Sequence, residues 1–315
     1  MMNGFININK PAGMSSAAVV GTLKRLTGAR RIGHAGTLDP EAAGVLPIML
    51  GRATRLFDYL VDKEKEYLAV CAFGSATDTQ DATGTVTETG TDYPDRDRIE
   101  AALTALTGDI RQRPSVYSAI KVGGKPLYAR ARKGEEVEAP ERTVHVERIE
   151  LLGEEPDHGA ALRIVCGRGT YIRSICHDLG GLCGCPAHMR SLTRTRSGFF
   201  KLEDALTLDE ARALAVSGTL AEKMLPMDAP LGHMMRLQAP EGLKRQVDAG
   251  ARLPLERMEG TEPPEGGAAR IYLGEKFRGI AVRTEDTLSW RVQIPEREPE
   301  ELPSEGAARK RGGEG

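Results

Sequence analysis

The first 38 positions of this chain hold no aspartate or glutamate, although they carry Lys10, Lys24, Arg25, Arg30 and Arg31. Surface acids are normally interspersed with bases, so a long acid-free stretch points to a face that meets an anion. Apolar runs of 18 residues or more are also missing, and the start Met1-Met2-Asn3-Gly4-Phe5 lacks the basic and apolar blocks of a secretion signal. A chain that neither spans nor enters a membrane, working in the cytoplasm, is the expectation. Cysteine is sparse and odd in number, five in 315 residues, which argues against a disulfide framework. Cys183-Gly-Cys185, with His177 and His188 nearby, is too tightly spaced for a Cys-x-x-Cys zinc pair, so no metal is expected there. A Walker lysine loop, a Gly-x-Gly-x-x-Gly after the first strand and a Gly-x-Ser-x-Gly elbow are all absent. Nucleotide hydrolysis, dinucleotide chemistry and esterase chemistry thereby lose their supports.

The first acid to appear is Asp39, closing Gly33-His34-Ala35-Gly36-Thr37-Leu38-Asp39-Pro40. An Asp before Pro among glycines also suits an ordinary turn. The alternative is a lone carboxylate serving as nucleophile or general base, which needs an ionised group held in place. A cation beside it would keep it ionised, and Arg173 in Gly169-Thr170-Tyr171-Ile172-Arg173 can grip a carboxylate through a two-pronged fork. Only 4% of the chain is aromatic, so Tyr67 and Tyr171 stand out. Each suits a core position, a base-stacking platform or a proton carrier. His34, next to Gly33 and close to Gly36, has the backbone freedom to approach a nucleotide and stack.

Net charge is only −2, but the bases are segregated. Residues 110 to 134 hold Arg111, Arg113, Lys121, Lys125, Arg130, Arg132 and Lys133 with no acid. Residues 163 to 196 hold Arg163, Arg168, Arg173, Arg190, Arg194 and Arg196 against Asp178 alone. With the acid-free start these make three basic blocks, which either converge on phosphates or form separate solvated faces.

Phe5-Ile6-Asn7-Ile8-Asn9 alternates as a strand. Ser15 or Ser16 then caps a helix bearing Val19, Val20, Leu23 and Leu26 and stopping at Gly28, which leaves Asp39 in a loop. A helix over Ala53 to Val61 is expected, then a strand from Glu66 to Phe73 with Gly84-Thr85-Val86 as a short partner. Further expectations are a helix from Arg96 to Leu106 capped by Asp95 and strands Val144 to Leu152 and Leu162 to Cys166. Helices follow Thr170 and cover Leu206 to Val216, and three short strands lie beyond residue 268. The fold class is α+β, with a mixed, largely antiparallel central sheet and a small β-rich C-terminal domain. The domains are 1–230, 231–295 and a charged, disordered tail, 296–315.

Ile8-Asn9-Lys10-Pro11-Ala12-Gly13-Met14-Ser15-Ser16, the Asp39 stretch with Ala43-Gly44-Val45-Leu46-Pro47, Lys65-Glu66-Tyr67 and Gly169-Thr170-Tyr171-Ile172-Arg173-Ser174 occur in the order found in the TruB family of bacterial tRNA pseudouridine 55 synthases. Thr77-Asp78-Thr79 with Asp81, and Pro114 to Lys121, also resemble that family, over about residues 4 to 230. The resemblance implies the pseudouridine synthase fold and conversion of uridine 55 in the TΨC loop of tRNA to pseudouridine, without metal or organic cofactor. The enzyme would be a monomer with no obligate protein partner. It implies Asp39 as nucleophile, on C6 of the uracil or C1′ of the ribose; Arg173 as its cation; Tyr67 stacking on the flipped base and moving a proton; Tyr171 and Leu192 lining the uridine pocket; His34 entering the space the base leaves; and Lys10 and Pro11 supporting the active-site loop. The C-terminal part resembles a PUA RNA-binding domain. An RNA-binding module that assists tRNA folding, or a nucleosidase releasing uracil, are the competing readings; retention of Asp39, Tyr67 and Arg173 together favours the synthase.

Overall fold

The structure, a computed structural model, describes residues 2–296 apart from 62, 119, 123, 128–129, 131–132, 134 and 136. The chain divides into two compact units, Met1–Pro230 and Leu231–Gly315. Arg132 and the tail from 297 onward, expected to be disordered, lie outside the described residues.

In the first unit, the strands in chain order are β1 (Gly4–Lys10), β2 (Ile32–His34), β3 (Ala43–Leu50), β4 (Lys65–Phe73), β5 (Ser75–Thr77), β6 (Val86–Thr89), β7 (Gly108–Gln112), β8 (Lys121–Val122), β9 (Lys125–Pro126), β10 (Arg142–Glu155), β11 (Gly159–Cys166), β12 (Ala187–Ser197) and β13 (Phe200–Lys201). The main sheet runs β1-β3-β12-β4-β11-β10-β7, with β2 paired to β3 and β13 to β12. Only β12 against β3 is parallel, so the sheet is mixed and largely antiparallel as expected. On one region of it the helices Arg96–Ala105 and Ile172–Leu182 pack, burying Ile99, Leu103, Ile175 and Leu179 with Cys71, Leu162 and Ile164. Helices Ser16–Thr27 and Leu208–Val216 cover β1 and β3 through Val19, Leu23, Leu208 and Ala211, against Ile6, Ile8, Leu46 and Ile48. All five cysteines are free and buried, serving as small apolar groups.

Several local readings hold. Ser15 caps the first helix, its side chain accepting from Ala18 N–H, and Gly28 ends it at φ 62°. Asp95 caps the third by accepting from Arg98 N–H. The 51–61 stretch is helical, but as a 3₁₀ turn (Gly51–Leu56) running into Phe57–Val61. The expected partnering of Gly84-Thr85-Val86 with Glu66 to Phe73 is corrected: β6 pairs with β5, and both edges of β4 are taken by β11 and β12. The β10–β11 connection is also tighter than strands ending at Leu152 and resuming at Leu162 would leave it, because β10 runs on to Glu155, β11 begins at Gly159 and the turn is made by residues 156–158, with Asp157 and His158 both at positive φ.

The sheet divides at β3. One edge of β3 pairs continuously with β1. Its other edge meets β12 only at Ala43 and Gly44, and β2 only from Ile48 to Leu50. Residues 45–47 lie in the gap, where Pro47, which has no N–H to offer a ladder, costs nothing. The gap's carbonyls are satisfied otherwise: Arg194 Nε donates to Val45 O at 2.7 Å and Ala35 N–H to Pro47 O at 2.9 Å. The Asp39 loop leaves the sheet here.

The second unit is a six-stranded sheet, in the order Leu253–Pro254, Thr287–Gln293, Lys276–Thr284, Ala268–Leu273, Met235–Ala239, Glu259–Gly260. Its core gathers Leu237, Leu243, Val247, Leu253, Ile271 and Leu288. Among the described residues no helix is long and apolar enough to cross a membrane.

Candidate active site

The loop bearing Asp39 is fastened on both sides of the carboxylate. Ahead of it, the buried Ser16 hydroxyl donates to Leu38 O and accepts from Leu38 N–H, both at 2.9 Å. Behind it, Pro40 O accepts from Gly13 N–H and from Lys10 Nζ, each at 2.9 Å. Lys10 is fully buried and also donates to Pro11 O at 2.9 Å and Met14 O at 2.6 Å. Its ammonium therefore gathers three carbonyls from two segments, using all its donors. Pro11 is exposed and contributes its carbonyl.

Burial lowers the Lys10 pKa to about 8; Glu41 and Asp39 oppose the shift and Arg194 adds to it. The folded value lies below the unfolded one, so between about 8 and 10.5 the unfolded state holds the extra proton and stability gains with rising pH. Function runs the other way, because a neutral amine keeps only two N–H groups for three carbonyls. Turnover is expected to fall as pH rises through about 8, and this limb should vanish from the pH–kcat profile of Lys10→Met; an unaltered limb in the variant would assign it to another group.

Asp39 itself is partly exposed, its side chain 40% accessible, and Arg173 at 6% reaches it from helix Ile172–Leu182 with Nε 2.9 Å from Oδ2. The Nε–H is not aimed at that oxygen, so charge holds the pair. The fork expected on Asp39 is not made. Instead Arg173 Nη1 donates to Thr79 O at 3.0 Å and approaches Asp81 Oδ2 at 3.5 Å, and Nη2 donates to Tyr117 O at 3.4 Å. One guanidinium thus joins three segments. Asp81 is set by its own loop, its Oδ1 accepting from the hydroxyls of Thr79 and Thr83 at 2.7 and 2.6 Å and from Thr83 N–H at 3.0 Å.

Around Asp39 opens a cavity of ≈ 330 Å³. Tyr67, Tyr171, Leu192 and Arg173 line it together with Asp39, as do Phe57, Lys65 and Arg194. Tyr67 and Leu192 come from adjacent strands, β4 and β12, and both are buried. Burial holds the Tyr67 phenol above its ordinary pKa, and nearby Arg194 opposes the rise. Tyr171 is fixed by the buried Gln112, whose side chain accepts from Tyr171 N–H at 3.0 Å and donates to Tyr171 O at 3.1 Å. Its phenol too is raised by burial. His34 is placed differently. It sits in β2 opposite Ile48 rather than in a glycine loop, half-buried and outside the lining. Burial and the charge of Arg194 lower its pKa, which favours a neutral imidazole. Lys10 and Pro11 also lie outside the lining, behind the loop.

The model for the TruB family pseudouridylate synthase N-terminal domain matches residues 24–172, and that for the tRNA pseudouridylate synthase B C-terminal domain matches residues 173–232. The chain belongs to the TruB family. It is accordingly an enzyme, a pseudouridine synthase, and so an isomerase. Together the two matches run from residue 24 to 232, leaving out the start of the first unit and ending two residues past its last, Pro230. Among curated relatives, tRNA pseudouridine synthase B of Bacillus licheniformis is 42% identical, covering 80% of this chain and 84% of its own length. The enzyme of that name from Alkaliphilus oremlandii is 39% identical over 90% and 95%. Among solved structures, a Cbf5-Nop10-Gar1 complex aligns with a TM-score of 0.70 and 27% identity, covering 94% of this chain and 84% of that one.

Within this TruB-family site, sequence reasoning missed Arg194, Ser16 and Asp81 as parts of the machinery. Arg194 reads as one base of a charged block, yet it is among the largest fully buried side chains. The three basic blocks also look different in space. Arg111, Arg113, Arg130, Arg163, Arg190 and Arg196 each pair with a nearby carboxylate, whereas Lys24, Arg25 and Arg30 of the acid-free start stand exposed at the surface.

Proposed function

We propose that the chain converts uridine 55 in the TΨC loop of tRNA to pseudouridine, with Asp39 as nucleophile on a flipped-out uridine. The observation that carries this reading is the lone carboxylate of Asp39, ion-paired to Arg173 at 2.9 Å and opening onto a cavity lined by Tyr67, Tyr171 and Leu192. The isomerisation breaks the C1′–N1 bond, turns the base and joins C1′ to C5. A detached uracil must be held away from water meanwhile, or an abasic site results. Tyr67 stacks on the base, Tyr171 and Leu192 bound it, and Arg173 keeps Asp39 ionised and oriented.

Flipping costs a few kcal/mol of lost stacking, less in a loop than in a duplex. His34, outside the cavity and favouring the neutral form, suits the space the base vacates in the RNA rather than the pocket that receives it. The β-rich unit acts as a PUA-like RNA-binding domain over 231–295, where Arg236 lies 4.1 Å over the buried Tyr272 ring. The enzyme works on RNA as a monomer, in the cytoplasm.

Unmodified tRNA transcript labelled with tritium at C5 of uridine tests the reading, since forming the C1′–C5 bond displaces that hydrogen. Release from the native transcript and none from one with cytidine at position 55 is expected; equal release from both would refute the assigned position. Release of free uracil would favour the nucleosidase. Binding of the same transcript should weaken with salt, and replacing Lys24, Arg25 and Arg30 by Ala should flatten the log–log slope by roughly 0.7 to 0.9 for each phosphate no longer neutralised. An unchanged slope in filter binding would exclude these three as phosphate ligands.

A further inference from the structure

Arg194 presents a problem of charge. Its side chain is 1% exposed, and among the described residues no carboxylate pairs with it. A buried cation without a counter-ion costs several kcal/mol, so one is kept only where something repays it. Its contacts are carbonyl oxygens: Nε donates to Val45 O at 2.7 Å, Nη2 to Gly36 O at 3.1 Å and Nη1 to Thr37 O at 3.4 Å. Three of five N–H groups are thereby used to hold the gap in β3 and the segment leading to Asp39.

The same guanidinium faces Tyr67. In the β4–β12 pairing Arg194 lies directly opposite Tyr67, both line the Asp39 cavity, and the charge of Arg194 acts on the Tyr67 phenol. The phenol is the cavity group across from this cation that can become an anion.

We propose that Arg194 is a positioning residue for proton transfer: it orients the Tyr67 phenol and stabilises the phenolate that forms there during the isomerisation. The inference rests on the proposed function. Pseudouridine differs from uridine by a proton moved from C5 to N1. As the C1′–N1 bond breaks, an Asp39 carboxylate oxygen bonds C1′ and the C1′–N1 electron pair stays on N1, which takes the Tyr67 proton and leaves the phenolate beside Arg194. Turning the base brings C5 to the place N1 held. The C5=C6 pair then forms the C1′–C5 bond as the Asp39–C1′ bond breaks and its pair returns to the carboxylate, while the N1 lone pair makes N1=C6. The phenolate removes the C5 proton; the C–H pair restores C5=C6 and the N1=C6 pair returns to nitrogen. Tyr67 is neutral again, and no co-reactant is consumed. One phenol serves both transfers because the two ring atoms occupy the same place in turn.

The test is turnover of tRNA transcript made with uridine or with uridine deuterated at C5. Arg194→Lys keeps the charge but cannot hold three carbonyls and a phenol together. Its kcat should fall about 100-fold, as for loss of a positioned acid–base group, with a deuterium effect larger than that of the native enzyme. Ser16→Ala loosens the same loop without touching Tyr67 and should slow turnover with no enlarged isotope effect. Equal rates on both substrates in Arg194→Lys, or no loss of rate, would overturn the proposal. If the lysine variant does not fold by thermal melt, 3-fluorotyrosine at position 67 in the otherwise native chain gives the same reading: its phenolate is a weaker base, so the isotope effect should grow, and an unchanged value overturns the idea. Asp39→Ala run alongside separates the layers. Turnover surviving there removes the nucleophile assignment, whereas a dead Asp39 variant with no isotope effect at Arg194 removes only this proposal.

Discussion

Asp39→Asn is expected to lose pseudouridine formation by roughly 10⁴-fold or more, the scale seen when a reacting group is removed from a preorganised site. The substitution keeps the size of the side chain and removes its charge and nucleophilicity. The loop it stands in is fastened through Leu38 and Pro40, by Ser16, Gly13 and Lys10, and none of those bonds uses the carboxylate. Folding and tRNA binding should therefore remain near native, so the loss falls on kcat. Single-turnover assays on unmodified transcript, beside a thermal melt and a binding curve, check all three. Turnover within tenfold of the native enzyme would remove Asp39 as nucleophile; a large fall in binding would mean that its charge organises the RNA surface instead.

Arg173→Met should produce the second largest effect, and in two quantities at once. The guanidinium stands between Asp39 and Asp81 while satisfying carbonyls of Thr79 and Tyr117. Removing a buried cation that compensates buried carboxylates costs about 3 to 5 kcal/mol; here Asp39 is two-fifths exposed and solvent shares its charge, so the lower end applies. A urea titration reads the loss. Arg173→Lys separates charge from shape. An ammonium can pair with Asp39 or reach across to Asp81 and the carbonyls, but it lacks the planar spread to join all four. Its stability should recover while kcat stays down by about 100-fold, the usual penalty for losing one positioned electrostatic group. Near-native kcat in the lysine variant would mean that a point charge beside Asp39 suffices.

The helices and most outer strands are legible in the sequence because their determinants are local. Ser15 and Gly28 bracket one helix and Asp95 begins another, each through bonds within a few residues. The two strands that build the site, β3 and β12, are not, for opposite reasons. Pro47 argues against an internal strand unless one knows that β12 and β2 leave a gap beside it. In β12, Arg190, Arg194 and Arg196 give a polar surface pattern, although Arg194 is buried among carbonyls from β3 and the Asp39 loop, far earlier in the chain, a pairing that no window of sequence contains. The same distance explains the corrected role of Arg173. Its position beside Asp39 is readable as a motif, but the division of its donors among Thr79, Tyr117 and Asp81 depends on tertiary contacts.

The place of β12 in the sheet also governs how the protein is born. Strand β3 leaves the ribosome early and β12 late, yet β12 is inserted between β3 and β4 and supplies the side chain that bonds Val45, Gly36 and Thr37. Until residue 194 has emerged, the loop bearing Asp39 lacks its long-range anchor, and the nascent chain must keep open the slot that the strand will fill. Pairing across such a separation is slow, because the intervening chain must be closed before any contact rewards it. A ribosome-tethered chain halted before β12 should hold an unformed pocket, so the capacity to cut a glycosidic bond arrives only when nearly the whole first unit has been made.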